Sequence, residues 1–186
     1  MRRTRGLAGL AAVAVAATAL VLSGAAPAAA DTNLVQCIGA QSNSYQPVLS
    51  RTARPTLVTG GTTYNRCASL TPGLTQGIAD STARYPSRSC LDLLAAQTVG
   101  WTIRWNNGRT STVTGTAITT VAGAAMVTTF NGGVTAGLYQ GAAVVQTVSG
   151  ASTDITLCTL GLGTIFGLSG AVTLTIAQVG SGPIGG

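Results

Sequence analysis

The sequence predicts an all-β protein, an antiparallel β-sandwich of about seven to nine short strands cross-linked by two disulfides. Composition is the first reason. Of the 156 residues that follow a predicted signal peptide, 27 are Thr and 22 are Gly. Thr and other β-branched residues suit a pleated surface, and frequent Gly divides that surface with turns. Alternation of apolar and polar residues between closely spaced turn signals is the second reason.

The strand signals are clearest in residues 91–180, which we predict to be the sandwich core. Trp101, Ile103 and Trp105 alternate with polar residues, so their side chains share one face of a strand. The sequence Asn106-Asn107-Gly108 follows and is typical of a type I′ hairpin turn. A helical turn and a strand are about equally favoured for residues 90–98. Further strands are predicted at residues 110–120, 124–130, 134–139, 142–148, 155–159 and 172–176, with turns at Asn131-Gly132-Gly133 and Gln140-Gly141.

Residues 31–90 have a different composition, with four of the six Pro of the chain. They are interpreted as an extended N-terminal part of the same domain with one or two strands, at Leu34–Gly39 and Thr63–Leu70. Proline cannot donate to a strand ladder, so an extended segment of this kind favours a sheet edge over the sheet centre. Residues 181–186 are predicted to form a flexible tail.

Residues 1–30 are predicted to be a signal peptide. A basic start with Arg2, Arg3 and Arg5 precedes a short apolar run, and Ala28 and Ala30 match the small-residue cleavage pattern. The product is therefore expected to be secreted and extracellular. The sequence leaves both general and twin-arginine export open as routes.

The four cysteines Cys37, Cys67, Cys90 and Cys158 are an even set in a chain expected to be exported, which predicts two disulfides. Four cysteines allow three connectivities. Pairing in chain order is preferred, because it cross-links the Pro-containing part separately from the strand-rich part. The cysteine spacings do not resemble those of a zinc site.

The residue types that are missing exclude several kinds of chemistry. The chain contains no His, Lys or Glu, and its seven Arg after residue 30 stand against four Asp. Serine or cysteine nucleophiles then lack a base, and the scattered Asp residues favour turn and cap positions over paired catalytic roles. A net charge of +3 is too small to indicate a nucleic-acid surface. We therefore predict a non-enzymatic protein with no catalytic residue, cofactor or metal.

Arginine and tyrosine residues provide the best candidate for a protein-binding surface. Both residue types are favoured anchors in protein interfaces. An equally favoured interpretation is that these arginines only keep the protein soluble. The candidate binding residues are Tyr45, Arg51, Arg54, Arg66, Arg84, Tyr85 and Arg88.

A family resemblance covers most of the chain after residue 30. The matching segments are Cys37 with Tyr45–Pro47, Ser89-Cys90-Leu91, Trp105-Asn106-Asn107-Gly108 with Ser111, residues 133–141, and Cys158 with Gly161 and Gly163. In these segments the chain resembles the UmbB-type adaptors of streptomycete umbrella toxin particles. The resemblance implies a non-enzymatic adaptor that joins a large repeat-containing scaffold to a lectin- or protease-like subunit in interbacterial competition.

The primary hypothesis is therefore a secreted protein-binding adaptor in an extracellular, toxin-like complex. The extended N-terminal part suits strand addition to a partner, in which backbone hydrogen bonds provide affinity. The alternative is a secreted carbohydrate- or cell-wall-binding module that uses Tyr and Trp, although Trp101 and Trp105 are more typical of a core. A surface-active coat protein is a third hypothesis, and an enzyme the least favoured.

Overall fold

The computed structural model describes residues 32–178. The predicted signal peptide and the predicted tail lie outside these residues. The helical elements are a single 3₁₀ turn at Leu91–Leu93 and the helix α1 (Thr153–Thr159). The strands are β1 (Thr32–Leu49), β2 (Arg54–Ser69), β3 (Gly77–Arg88), β4 (Gln97–Trp105), β5 (Thr110–Ala122), β6 (Ala125–Gly137), β7 (Ala143–Ala151) and β8 (Ile165–Gln178).

The eight strands form one antiparallel sheet in chain order, and this sheet closes on itself where β8 pairs with β1. The prediction of an all-β antiparallel fold with two disulfides is confirmed. The prediction of two packed sheets is not confirmed, because the strands surround one interior as a barrel. Alternation of inward and outward residues is common to both architectures, so the period of the sequence does not distinguish them.

The N-terminal part contains more regular structure than the sequence predicts. Residues 32–88 form three long strands, β1 to β3, in place of one or two short ones. Three of the four proline residues lie where the ladders are irregular: the β1–β8 register shifts around Pro47, and the β2–β3 register shifts around Pro55 and Pro86. Proline is tolerated at such points because no ladder hydrogen bond from its nitrogen is needed there.

Strand β6 corrects the prediction of a turn at Asn131-Gly132-Gly133. These residues lie inside β6, where Gly132 pairs with Gly115 of β5. A Cβ atom at Gly132 would clash with the Thr114 carbonyl oxygen and would lie 2.7 Å from the Phe130 ring. Glycine is therefore required here by the close approach of two backbones and a ring, and not by a turn.

Residues 155–159, for which the sequence predicts a strand, belong to α1. Ile155 and Cys158 are its two buried residues, and their spacing of three places both on one side of the helix. The hairpin after Trp105 also differs in detail. Only Gly108 has a positive φ there, and Trp105 N–H donates to the Arg109 carbonyl, which is the arrangement of a type I turn followed by a bulge.

The disulfides join the cysteines in chain order, as preferred from the sequence. Cys37–Cys67 links the directly paired strands β1 and β2. Cys90–Cys158 links the segment after β3 to α1, with both cysteines completely buried. The two bridges lie near opposite ends of the barrel, so each one fixes a different set of loops.

The interior contains two apolar clusters, one towards each disulfide. The larger, lower cluster includes Cys37, Tyr64, Ile103, Trp105 and Val113. The smaller, upper cluster closes the other end and contains Tyr45, Leu49, Cys90, Leu93, Met126, Ile155, Cys158 and Ile165. Ile103 and Trp105 are buried on one face of β4, as the alternation in the sequence predicts.

Removal of the Cys90–Cys158 disulfide by the double change Cys90→Ala and Cys158→Ala should lower the free energy of unfolding by about 4 kcal/mol. The physical reason is the lost restriction on a loop of 68 residues in the unfolded chain. Denaturant unfolding measures the loss. The matched change Cys37→Ala with Cys67→Ala opens a loop of only 30 residues and should cost less. Equal midpoints for all three proteins would contradict the expectation.

Candidate functional site

The ladder between β3 and β4 is interrupted. These strands pair only at Gly77 with Trp105 and at Ile78 with Arg104. Beyond this point residues 79–85 and Arg88 of β3 pair with β2 alone, and residues 97–103 of β4 pair with β5 alone. We call the opening between these two edges the β3–β4 window.

Both ends of the β3–β4 window are closed. At the lower end, Arg104 Nη2 lies 2.6 Å from Asp80 Oδ2 and forms an ion pair across the two strands. At the upper end, the connecting segment 89–96 with its 3₁₀ turn joins β3 to β4. The unpaired edge of β4 has seven residues, which corresponds to about 23 Å of extended backbone.

A cavity of about 370 Å³ lies behind the β3–β4 window. It separates the two apolar clusters, because its walls include Trp101 and Phe130 on the lower side and Leu93 and Ile155 on the upper side. The cavity is open to solvent through the wall of the barrel. An eight-stranded barrel has an interior of the size that either side chains or one small ligand fill.

Small inward-facing residues on β2 and β3 leave the space for this cavity. Gly60 of β2 and Ala79, Ser81 and Ala83 of β3 all line it. Ser81 and Ala83 alternate with outward-facing residues and so belong to the inner face, yet both are exposed. The missing β4 partner at this level explains their exposure.

Polar groups form part of the cavity wall. The Tyr64 hydroxyl donates to Gln146 Oε1 at 2.6 Å, and Gln146 Nε2 donates to Gln41 Oε1 at 3.3 Å. Burial raises the pKa of Tyr64, so its phenol stays protonated at neutral pH. The two glutamines and Asn43 of β1 line the cavity and present amide groups to whatever occupies it.

Arg88 provides a positive charge in the wall of the cavity. It ends β3, is only 9% exposed and lines the cavity. Its guanidinium carbon lies 4.2 Å from the centre of the Tyr85 ring, in a cation–π contact. Burial raises the pKa of the nearby Tyr45 to about 12, although the charge of Arg88 lowers it. This phenol is therefore neutral at physiological pH.

The structure brings most of the predicted binding residues to the upper end of the barrel. Arg54 pairs with Arg88 across β2 and β3, and Arg84 pairs with Leu57 in the same ladder. Arg51 lies beside Gly161, which follows α1. Tyr45 and Tyr85 line the cavity beside Arg88. Arg66 is separate from them, because it lies next to the Cys37–Cys67 disulfide at the lower end.

Sequence reasoning missed an exposed apolar surface at the upper end. The Cys90–Cys158 disulfide joins the 3₁₀ turn to α1, and both segments carry exposed leucines. Leu160 is 61% exposed and Leu162 is 74% exposed. We call these residues the upper leucine surface, which comprises Leu91, Leu94, Leu157, Leu160 and Leu162. In the sequence, the leucines that closely follow or flank Cys90 and Cys158 were the signal for this surface.

The described residues contain three carboxylates, and each of them has different surroundings. Asp80 lines the cavity but is held by Arg104. Asp92 Oδ2 accepts hydrogen bonds from the Ser89 backbone N–H at 2.6 Å and from Ser89 Oγ at 2.8 Å. Asp154 is exposed in α1. The cavity therefore offers a cation, amides and aromatic rings for binding.

The fold and the site together define a class: an antiparallel eight-stranded barrel with two disulfides and a cavity open through its wall. Comparison of the chain with protein-family models, with curated proteins and with solved structures gives no match. Within residues 32–178, neither helical element has the length and hydropathy needed to cross a membrane.

The change Asp92→Asn should lower the melting temperature at pH 7, because a neutral amide is a weaker acceptor than a carboxylate for the two Ser89 donors. Those hydrogen bonds, first the backbone N–H and then the hydroxyl, hold the pKa of Asp92 below its ordinary value of 3.8. The carboxylate thus contributes stability above that pH and loses it as the pH falls through the lower folded-state pKa.

Thermal unfolding of both proteins between neutral and strongly acidic pH measures this effect. The difference in melting temperature should shrink as the pH falls below 3.8. A difference that is the same at every pH would show that Asp92 does not act through its charge. Asp154→Asn is the control, because Asp154 is exposed on α1.

Proposed function

We propose that the protein is a secreted, non-enzymatic adaptor that binds other exported proteins, and that it accepts an extended segment of a partner in the β3–β4 window. The resemblance described above suggests the partners: a large repeat-containing scaffold and a lectin- or protease-like subunit. The complex would be toxin-like and would act in competition between bacteria. Two disulfides are consistent with an oxidising, extracellular environment.

The observation that carries this proposal is the interrupted ladder. Residues 79–88 and 97–103 are two strand edges that face each other without pairing. An unpaired edge offers N–H and C=O groups to any extended chain, and strand addition uses them for affinity. Most barrels have no such edge, since closure pairs every strand on both sides.

The surroundings of the window favour a protein as the ligand. Leu91 and Leu94 of the upper leucine surface are exposed in the segment that closes the upper end of the window, and exposed apolar surfaces are typical of protein interaction sites. Arg51, Arg54 and Arg84 lie at the same end and provide a polar, cationic rim. An apolar centre with a polar rim is the usual composition of a protein interface.

Carbohydrate binding is the second candidate, and the composition of the cavity favours it. Trp101 and Tyr85 present aromatic rings, while Gln41, Asn43 and Gln146 present amides. Sugars are bound by stacking on aromatic rings together with hydrogen bonds to such groups. The cavity would then hold part of a cell-wall glycan.

The change Ala83→Trp tests the adaptor proposal. Ala83 is an exposed residue on the inner face of β3, so an indole at this position would fill the β3–β4 window. We expect stable partners that co-purify with the tagged protein from culture supernatant to be lost by about tenfold or more. Quantitative mass spectrometry of the purified complexes measures the loss.

Thr82→Trp is the matched control, because Thr82 is the neighbouring outward-facing residue of β3 and does not line the cavity. It should leave the partners unchanged. Both variants should melt close to the wild-type temperature, since both positions are exposed. A wild-type protein that is always a lone monomer in the supernatant would refute the adaptor proposal, as would partners that tolerate Ala83→Trp.

The carbohydrate candidate makes a separate prediction about fluorescence. Soluble peptidoglycan fragments should shift the tryptophan emission of the wild-type protein, and Trp101→Phe should abolish that shift. Trp105→Phe should preserve it, because Trp105 is 3% exposed and its indole N–H is already bound to Ser111 Oγ. Absence of any shift at saturating fragment concentrations would remove this candidate.

A further inference from the structure

Arg88 is a largely buried cation that forms no ion pair among the described residues. It is 9% exposed, and its Nε atom is buried without any hydrogen-bond partner. Among the described residues, the ion pair is formed by Arg104 and Asp80 and does not include Arg88. Burial of a charge is unfavourable unless the charge is paired and hydrogen-bonded. An arginine in this state is expected where a ligand supplies the missing anion.

The groups around Arg88 do not neutralise it. The pKa of Asp92 is lowered mainly by the hydrogen bonds from Ser89 and also by the charge of Arg88, but Asp92 Oδ2 accepts both of these hydrogen bonds and Asp92 forms no ion pair with Arg88. Tyr45 is a neutral phenol at physiological pH. Arg54, the cross-strand partner of Arg88, adds a second positive charge, which is unfavourable in a directly opposed pair.

The guanidinium is nevertheless held in a fixed place. Its guanidinium carbon packs over the Tyr85 ring, and the buried Cys90, two residues later, anchors the end of β3 through its disulfide. The side chain lines the cavity, and the cavity opens through the β3–β4 window. Arg88 is therefore a preorganised donor for an anion that arrives from outside. Planar guanidinium groups favour carboxylates, with which they form paired hydrogen bonds.

We propose that Arg88 forms a carboxylate-binding site in the cavity and that this site takes an acidic side chain, Asp or Glu, of the segment that enters the β3–β4 window. This inference rests on the proposed function and makes it more specific. The free edge of β3 is regular from Ala79 to Tyr85, and Arg88 follows the irregular ladder around Pro86, so an extended segment that pairs along the regular part ends towards Arg88. The partner is thus an extended peptide with an acidic residue at one fixed position.

Selection of peptides tests the proposal. A phage-displayed library of random peptides, long enough to span the window, is selected on the wild-type protein, and the best sequences are synthesised with amidated ends. We expect Asp or Glu at one conserved position. Replacement of this residue by its amide should weaken binding by about tenfold or more, and Arg88→Gln should weaken it equally.

The two changes should not be additive. In the Arg88→Gln protein, exchange of the peptide acid for its amide should have little further effect, because the interaction is already lost. Arg109→Gln is the matched control, since Arg109 is exposed in the hairpin after β4 and does not line the cavity. It should bind the acidic peptides as the wild type does.

Thermal unfolding separates a ligand-binding arginine from a structural one. Removal of an unpaired buried cation should leave the melting temperature of Arg88→Gln unchanged or higher, whereas loss of a structural contact would lower it. Should Arg88→Gln fail to fold, Arg88 has a structural role, and the peptides on the wild-type protein decide the proposal. The comparison of acid and amide peptides on the wild-type protein then tests independently whether a carboxylate is bound.

The remaining outcomes each support or refute one of the two proposals. Peptides that lose binding to Ala83→Trp but bind Arg88→Gln normally would support the proposed function and refute the carboxylate site. Free glutarate that displaces the peptides at concentrations near their own dissociation constants would show that the occupant is a small acid, and would also refute the proposal. A wild-type protein that selects no peptide would count against both the site and the proposed function.

Discussion

The barrel depends on one contact between β3 and β4, the packing of the Trp105 indole against Gly77. A Cβ atom at Gly77 would lie 2.7 Å from the indole ring, so only glycine allows the two strands to meet here. The indole is fixed from the other side by its hydrogen bond to Ser111 Oγ, which in turn donates to the Leu138 carbonyl. This contact closes the barrel at its lower end. Because β3 and β4 form no further residue pairs among the described residues, the β3–β4 window is open above this contact.

The interior of the barrel also differs between its lower end and the level of the β3–β4 window. Large aromatic and aliphatic side chains fill the lower end, whereas Ala79, Ser81 and Ala83 are too small to reach across the barrel from β3. The resulting cavity is not lined like an ordinary core, because it contains amides and the charge of Arg88. A cation in that place lowers stability when it is unpaired, and natural proteins accept such costs chiefly at sites of function. The lower end of the barrel is therefore tightly packed, whereas the cavity and the β3–β4 window lie above it.

The elements that the sequence predicted well are those with a local signal. The alternation of Trp101, Ile103 and Trp105 located β4 and its buried face, and the even cysteine count indicated the disulfides. The errors arose where one residue type serves two purposes. Glycine at position 132 is typical of a turn, but the structure requires it for the approach of β5 to β6. Ile155 and Cys158 are too few to show a helical period, so the sequence predicts a strand where α1 forms.

By itself the sequence determined the strand-rich composition, the alternation that separates inner from outer residues, and the absence of His, Lys and Glu that limits the chemistry. These properties depend on residue types and their nearest neighbours. Only the tertiary structure decided that one sheet closes into a barrel and that β3 and β4 separate after two residue pairs. It also decided that Arg88 is buried with its Nε unbonded while Arg66 lies at the other end. Closure, separation and burial are relations between residues distant in the chain, and the pairing of β1 with β8 joins residues from its two ends. No local sequence pattern specifies which distant residues come together, because their contacts follow from the packing of all the strands at once.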